Sequence, residues 1–144
     1  MILSFLKRLN IKFKEFYYKR KYPGIHKSVR IGYDTLIQCS ELTIGEHSYI
    51  QRHCSLTGDI EIGLRCSIAS GVNIRGEKHI SPLEGKKGEI KDIVICNDVV
   101  IGCGAFIKEG VTIGDDCVVG ANAVVTKNIP KGQVWVGNPA RRIK

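Results

Sequence analysis

From Ile25 onward a branched aliphatic residue returns with a period of six: Ile25, Ile31 and Ile37, then Ile44, Ile50, Leu56, Ile62, Ile68 and Ile74, and again Ile95, Ile101, Ile107, Ile113, Val119 and Val125. Neither a helix (3.6) nor a simple strand (2) buries every sixth residue, whereas short strands joined by tight corners do. Three hexads make one triangular turn, so fifteen aliphatic positions predict about five turns. Strands stacked at about 4.8 Å would give a prism roughly 24 Å tall. No single turn can hide its own apolar face, so the core exists only when the turns are stacked. The residue after the aliphatic is often small (Gly32, Gly45, Gly63, Ala69, Gly102, Gly114, Gly120). The residue four places on is often compact (Thr35, Ser48, Cys54, Cys66, Val72, Ala105, Cys117, Ala123). The period alone does not set the hand of the solenoid, and general crossover rules favour a right-handed path.

The repeat is interrupted once. Ile74 and Ile95 are 21 residues apart, so a segment of 15, largely GEKHISPLEGKKGEI, leaves the prism at about 76–92. Insertions of this size within a compact domain usually carry function, and a long excursion from one corner is a direct way to make a concave site on a flat wall. This one carries His79, one of four histidines. A neutral imidazole accepts a hydroxyl or amine proton near pH 7, which suits a general base; a solvated loop histidine is the competing reading from the residues alone. His26, His47 and His53 fall at corners of the early turns, where exposed polar residues are expected.

The 144 residues allow one domain, and 43% apolar with 25% charged residues is ordinary for a globular protein. The formal charge of +8 is concentrated at the start. Residues 1–22 hold Lys7, Arg8, Lys12, Lys14, Lys19, Arg20 and Lys21 against Glu15, a net of +6, leaving +2 for the rest. With no basic stripe interleaved with aromatics further on, nucleic acid is not an expected partner. Ile2, Phe5, Leu6, Leu9, Phe13, Phe16 and Tyr17 recur at three- and four-residue steps, predicting an amphipathic helix that Pro23 and Gly24 end. Its expected role is to cover the open end of the prism; the alternative is peripheral contact of residues 1–22 with an anionic membrane surface. The chain thus divides into the helix at 1–23, the solenoid at 24–130 and a tail at 131–144 that covers the other end or lies along a neighbouring subunit.

The six cysteines form no CxxC pair and no zinc spacing, so no metal is expected and free thiols point to the cytoplasm. Neither a signal peptide nor a membrane span is expected from the opening residues, which scatter charges among the apolar positions.

The run from Val94 to Pro139, VICNDVVIGCGAFIKEGVTIGDDCVVGANAVVTKNIPKGQVWVGNP, resembles the hexapeptide-repeat O-acetyltransferases such as the galactoside, maltose and streptogramin acetyltransferases. The resemblance extends over about 24–144. It implies an all-β fold, a left-handed parallel β-helix of about five triangular coils, assembled as a homotrimer. It also implies acetyl-CoA as donor and active sites in the grooves between subunits. In this family a histidine 17 residues after the aliphatic of its coil's first hexad is the general base, and Ile62 to His79 is the same interval. For the coenzyme the resemblance implies the main-chain N–H of Cys103, a second main-chain contact at Ala121, and Thr126 and Lys127 beside it. Arg141 is the cation assigned to its phosphates, from a cluster with Lys127, Lys131 and Arg142. Gln51 and Asp59 are the acceptor candidates, with Gln51 standing where the galactoside type has asparagine. Val100 stands where a tryptophan is frequent, so that wall of the site is altered. The expected activity is O-acetylation of a sugar or glycan hydroxyl. N-acetylation of an amino sugar, a γ-carbonic-anhydrase-like zinc protein and a non-catalytic scaffold are the alternatives.

Overall fold

A computed structural model of the chain describes residues 2–76 and 92–144, with side chains from residue 12 onward. Helix α1 (Ile2–Lys21) leads into a parallel β-solenoid of about five turns, in the architecture expected for the left-handed β-helix. Among the described residues the strands form three sheets, one for each face of the prism. Face one stacks Leu42–Ile44, Ile60–Ile62, Ile93–Ile95 and Thr112–Ile113. Face two stacks Arg30–Ile31, Tyr49–Ile50, Ser67–Ile68, Val100–Ile101, Val118–Val119 and Val134–Val136, closed by the antiparallel Arg141–Arg142. Face three stacks Leu36–Gln38, Ser55–Thr57, Asn73–Arg75, Phe106–Ile107 and Val124–Val125. The chain runs face one to two to three and then into the next coil, so three edges join the faces: edge I (one to two), edge II (two to three) and edge III (three to one).

The register brings like positions of the repeat together. Ile31, Ile50, Ile68, Ile101 and Val119 stack on face two; Ile37, Leu56, Ile74, Ile107 and Val125 stack on face three. All of them are buried, as are the face-one residues Ile25, Ile44, Ile62, Ile95 and Ile113. Ile129 bridges to Ile113 and begins a partial sixth coil that the fifteen-position count omits. Each fully buried aliphatic contributes about 2–3 kcal/mol of burial free energy.

Two positional rules hold the coils together. The glycines following the aliphatic are there for space rather than for backbone freedom. A Cβ on Gly32, Gly45, Gly102 or Gly114 would come within 2.4–2.6 Å of the backbone of the next coil. The compact residue four places on is buried throughout, and where it carries a donor it uses it. The hydroxyls of Thr35 and Ser48 donate to the carbonyls of Gln51 and Gly63 at 2.9 and 2.7 Å. The thiols of Cys54, Cys66 and Cys117 do the same for Ala69, Cys96 and Pro130 at 2.9–3.1 Å. These cysteines therefore satisfy corner carbonyls of the next coil, a role beyond that of the small hydrophobe which the repeat alone suggests.

Helix α1 covers the first coil, but with a face other than the one its hydrophobic spacing indicates. Tyr18 and Tyr22 are buried, whereas Phe13, Phe16 and Tyr17 are 70%, 64% and 50% exposed. The Tyr18 hydroxyl donates to the carbonyl of Thr35 and accepts the N–H of Ile37; the Tyr22 hydroxyl does the same at both groups of Cys39. Two phenols thus take up main-chain groups of the face-three strand that has no further coil beside it. Hydroxyls win this face because an open strand edge needs polar partners, which phenylalanine lacks. At the other end the tail returns over the last coil, with the Ala140 N–H donating to the carbonyl of Val124 and Ala140 buried.

Candidate active site

The residues singled out from the sequence fall on two edges of the prism. Gln51, Cys103 and Ala121 share edge II, in successive coils with Ser70 between the first two. The Gly104 N–H donates to the Ser70 carbonyl at 3.0 Å, and the Asn122 N–H to the Cys103 carbonyl at 2.8 Å, so Ser70, Cys103 and Ala121 form one column. The Ser70 hydroxyl donates to Gln51 Oε1 at 2.9 Å, which fixes the carboxamide against the same column. Ser70 is a residue that the sequence reading missed; its signal is its place two residues after Ile68, the offset of Cys103 from Ile101 and of Ala121 from Val119.

Cys103 and Ala121 are both exposed, and among the described residues neither main-chain N–H has a partner. Edge I treats the equivalent groups differently. There the N–H groups of Leu64 and Asn97 donate to the carboxamide of Asn97 and the carboxylate of Asp115. Edge II therefore presents open donors at Cys103 and Ala121, where edge I has closed those of Leu64 and Asn97. Arg141, paired in register with Val136, adds a guanidinium at the end of this column, with one N–H donated to the Ala140 carbonyl at 2.9 Å.

Edge III carries Asp59, the point where the insertion leaves and rejoins between Gly76 and Asp92, and, further along, Thr126 and Lys127, both exposed. His79 lies outside the described residues. Asp59 accepts the N–H of Glu41 at 3.0 Å and lines a shallow groove with Glu41, Glu61 and Asp92. Four carboxylates give this groove an acidic lining.

Edges II and III are a face apart, roughly 15–20 Å at about 3.3 Å per residue. Within one chain the open donors of Cys103 and Ala121 therefore cannot meet Asp59 or Lys127. Of the four cations clustered in the sequence, Lys131 is drawn to Asp115 and Asp116 on edge I at 3.9 and 3.6 Å. Lys127 is on edge III, and Arg141 and Arg142 form the strand that closes face two, in register with Val136 and Trp135. Val100 is 44% exposed on the outer side of face two, in register with Val118 and, two coils away, Tyr49.

The histidines other than His79 are separated as well. His47 turns edge I and His53 turns edge II, each in the left-handed region with φ of 59° and 58°. His53 rests edge-on against Tyr33 at 5.2 Å between ring centroids, and His26 Nδ1 is 2.8 Å from the Ser28 hydroxyl. His47 and His53 do not share a site, and among the described residues no group of three His, Cys, Asp or Glu side chains could hold a metal ion. Burial pushes the thiols of Cys54, Cys66 and Cys96 above their ordinary pKa, while Cys103 is exposed.

Residues 92–127 match the family model described as bacterial transferase hexapeptide (six repeats). The galactoside O-acetyltransferase of Escherichia coli is 37% identical over 110 residues, which cover 73% of this chain and 54% of that protein. Residues 92–127 thus carry this hexapeptide repeat, and over most of its length the chain is similar to an acetyltransferase. It spans about half the length of this curated relative. The family's solenoid superposes closely in solved structures. A maltose O-acetyltransferase from Clostridium difficile gives a TM-score of 0.84 at 29% identity, over 98% of this chain and 82% of that one. A hexapeptide-repeat acetyltransferase from Vibrio cholerae complexed with acetyl coenzyme A gives 0.71 at 26% identity, over 96% of this chain and 82% of that one.

Proposed function

We propose that this chain is an acetyl-CoA-dependent acetyltransferase acting on a sugar or glycan hydroxyl, working as a cytoplasmic homotrimer. The observation that carries the reading is the column of open main-chain donors on edge II, with a guanidinium at its end. The pantetheine arm of a coenzyme carries amide carbonyls that such N–H groups bind, and its phosphates suit Arg141. The E. coli and C. difficile relatives support acetyl transfer to a sugar, and the V. cholerae complex supports acetyl-CoA as donor.

The division of the site supports a trimer. If edge II of one subunit faces edge III of the next, Cys103, Ala121 and Arg141 come opposite Asp59, Thr126, Lys127 and the insertion bearing His79. The exposed apolar residues Tyr49, Val100 and Val118 on face two supply a surface for that contact. Free thiols among the described cysteines fit the reducing cytoplasm.

In the reaction the acceptor oxygen attacks the thioester carbonyl carbon while His79 takes the hydroxyl proton. The carbonyl oxygen gains charge, which the Cys103 N–H stabilises. The carbon–sulfur bond then breaks, and the coenzyme thiolate leaves with the proton that His79 returns. Gln51, held by Ser70, and Asp59 are the acceptor contacts in this scheme. A second reading, N-acetylation of an amino sugar, draws support from the four carboxylates of the groove that includes Asp59, which favour a cationic acceptor over an anionic one.

The test is release of free CoA from acetyl-CoA across neutral sugars, amino sugars and serine, with wild type and His79→Ala. Turnover on a sugar that falls at least about 100-fold in the variant supports the general base. Turnover confined to amino sugars selects the second reading. Absence of both turnover and CoA binding overturns the enzyme.

A further inference from the structure

We propose that α1 docks the protein on an anionic lipid surface, through a face that the solenoid leaves open. The helix is held to the solenoid along one side. Tyr18 and Tyr22 are buried, Lys14 stands 3.8 Å from Asp34, and Lys19 donates to the Lys27 carbonyl at 2.9 Å. At 100° per residue, Phe13, Phe16, Tyr17 and Arg20 fall on the opposite side. The three aromatics there are half to two-thirds or more exposed. Ile2, Phe5, Leu6 and Leu9 continue the same register in the sequence. Flanking this stripe on either side are Lys12 and Lys21, both exposed.

An apolar stripe bordered by long cations suits the interface of a bilayer, where rings sink to the acyl boundary and lysines reach the headgroups. Charge decides between occupants. Residues 1–22 carry a net of +6, so a second copy of the helix laid on the first would bring like charges together, whereas anionic headgroups neutralise them. The contact is peripheral, since among the described residues no helix is long and apolar enough to cross a membrane. It would hold the solenoid end-on to the surface, with its three faces and their edges clear of the bilayer.

The experiment is co-sedimentation of the full chain with vesicles of phosphatidylcholine, alone or with about 30% phosphatidylglycerol. Affinity for the anionic vesicles is expected to be at least about tenfold higher, and to fall when salt is raised to about 0.5 M. The double variant Phe13→Ser, Phe16→Ser should lose at least about tenfold of it, and Lys12→Glu with Arg20→Glu should abolish the preference. Thermal unfolding of both variants should stay that of wild type, because all four side chains are exposed. Equal binding to both vesicle types, or wild-type binding by the phenylalanine variant, overturns the proposal. So does a change in oligomeric mass of that variant without a change in vesicle binding, which would mean that a second copy covers the stripe.

Discussion

A Cβ placed on Gly102 would lie 2.5 Å from the main-chain nitrogen of Ala121. The two residues mark a close approach of adjacent coils on edge II, beside the open N–H groups of Cys103 and Ala121. Gly102→Ala must push the coils apart or tilt them. It is expected to cost about 1–3 kcal/mol in thermal or denaturant unfolding. Because the same shift moves both donors, CoA affinity should fall with it. Unchanged stability and unchanged CoA titration would refute the close-contact role.

Thiol chemistry should separate the cysteines by position. Cys54, Cys66 and Cys117 are buried and donate to carbonyls, and burial raises the pKa of the first two, so their thiolate fraction is small. Cys103 is exposed. Under native conditions a disulfide reagent at pH 8 should modify Cys103 well before these three, read by peptide mass mapping. Bound CoA should slow the Cys103 reaction; fast labelling of Cys66 in the folded protein would contradict the packing.

The phenols of Tyr18 and Tyr22 can be tested without disturbing the aromatic packing. Tyr18→Phe leaves the carbonyl of Thr35 and the N–H of Ile37 without their partner, at a cost of about 1–3 kcal/mol. Tyr22→Phe does the same at Cys39. The double variant should also aggregate more readily, since it uncovers a strand edge. Light scattering during thermal unfolding measures both effects, and a double variant as stable and as monodisperse as wild type would exclude the capping role.

Arg65 and Asp98 bridge two coils on edge I through paired bonds of 2.6 Å. The hydrogen bond from Arg65 holds the Asp98 carboxyl below its ordinary range. A lowered folded pKa means stability that is present above the unfolded value, about 3.9, and lost as pH falls through the folded one. The stability gap between wild type and Asp98→Asn should therefore be constant from about pH 6 to 8 and close below about pH 4. A gap that persists at pH 2 would assign the effect to packing instead of charge.

The solenoid was legible because its core is a one-dimensional code. Each of the fifteen aliphatics from Ile25 to Val125 occupies the same place in a coil, and every one is buried. The compact residues at Ser48, Cys54 and Cys66 were legible for the same reason, although their hydrogen bonds across coils were not. The donor column on edge II was half visible: Cys103 and Ala121 came from resemblance, while Ser70 and the contrast with edge I needed the hydrogen bonds themselves. For the helix, hydrophobic spacing pointed at Phe13, Phe16 and Tyr17, yet Tyr18 and Tyr22 make the contact. Spacing ranks faces by apolarity, and a surface of open strand groups selects instead for hydroxyls.

By itself the sequence determined the five full coils, the position of the insertion and which aliphatics fill the core, because those depend on a period that neighbouring hexads share. Which edge each polar residue occupies was decided by the tertiary structure. Residues such as Ala121 and Thr126 are five apart in the chain yet lie on different edges, since one short strand carries the backbone across a whole face between them. That separation leaves one chain with the two halves of its candidate site facing apart.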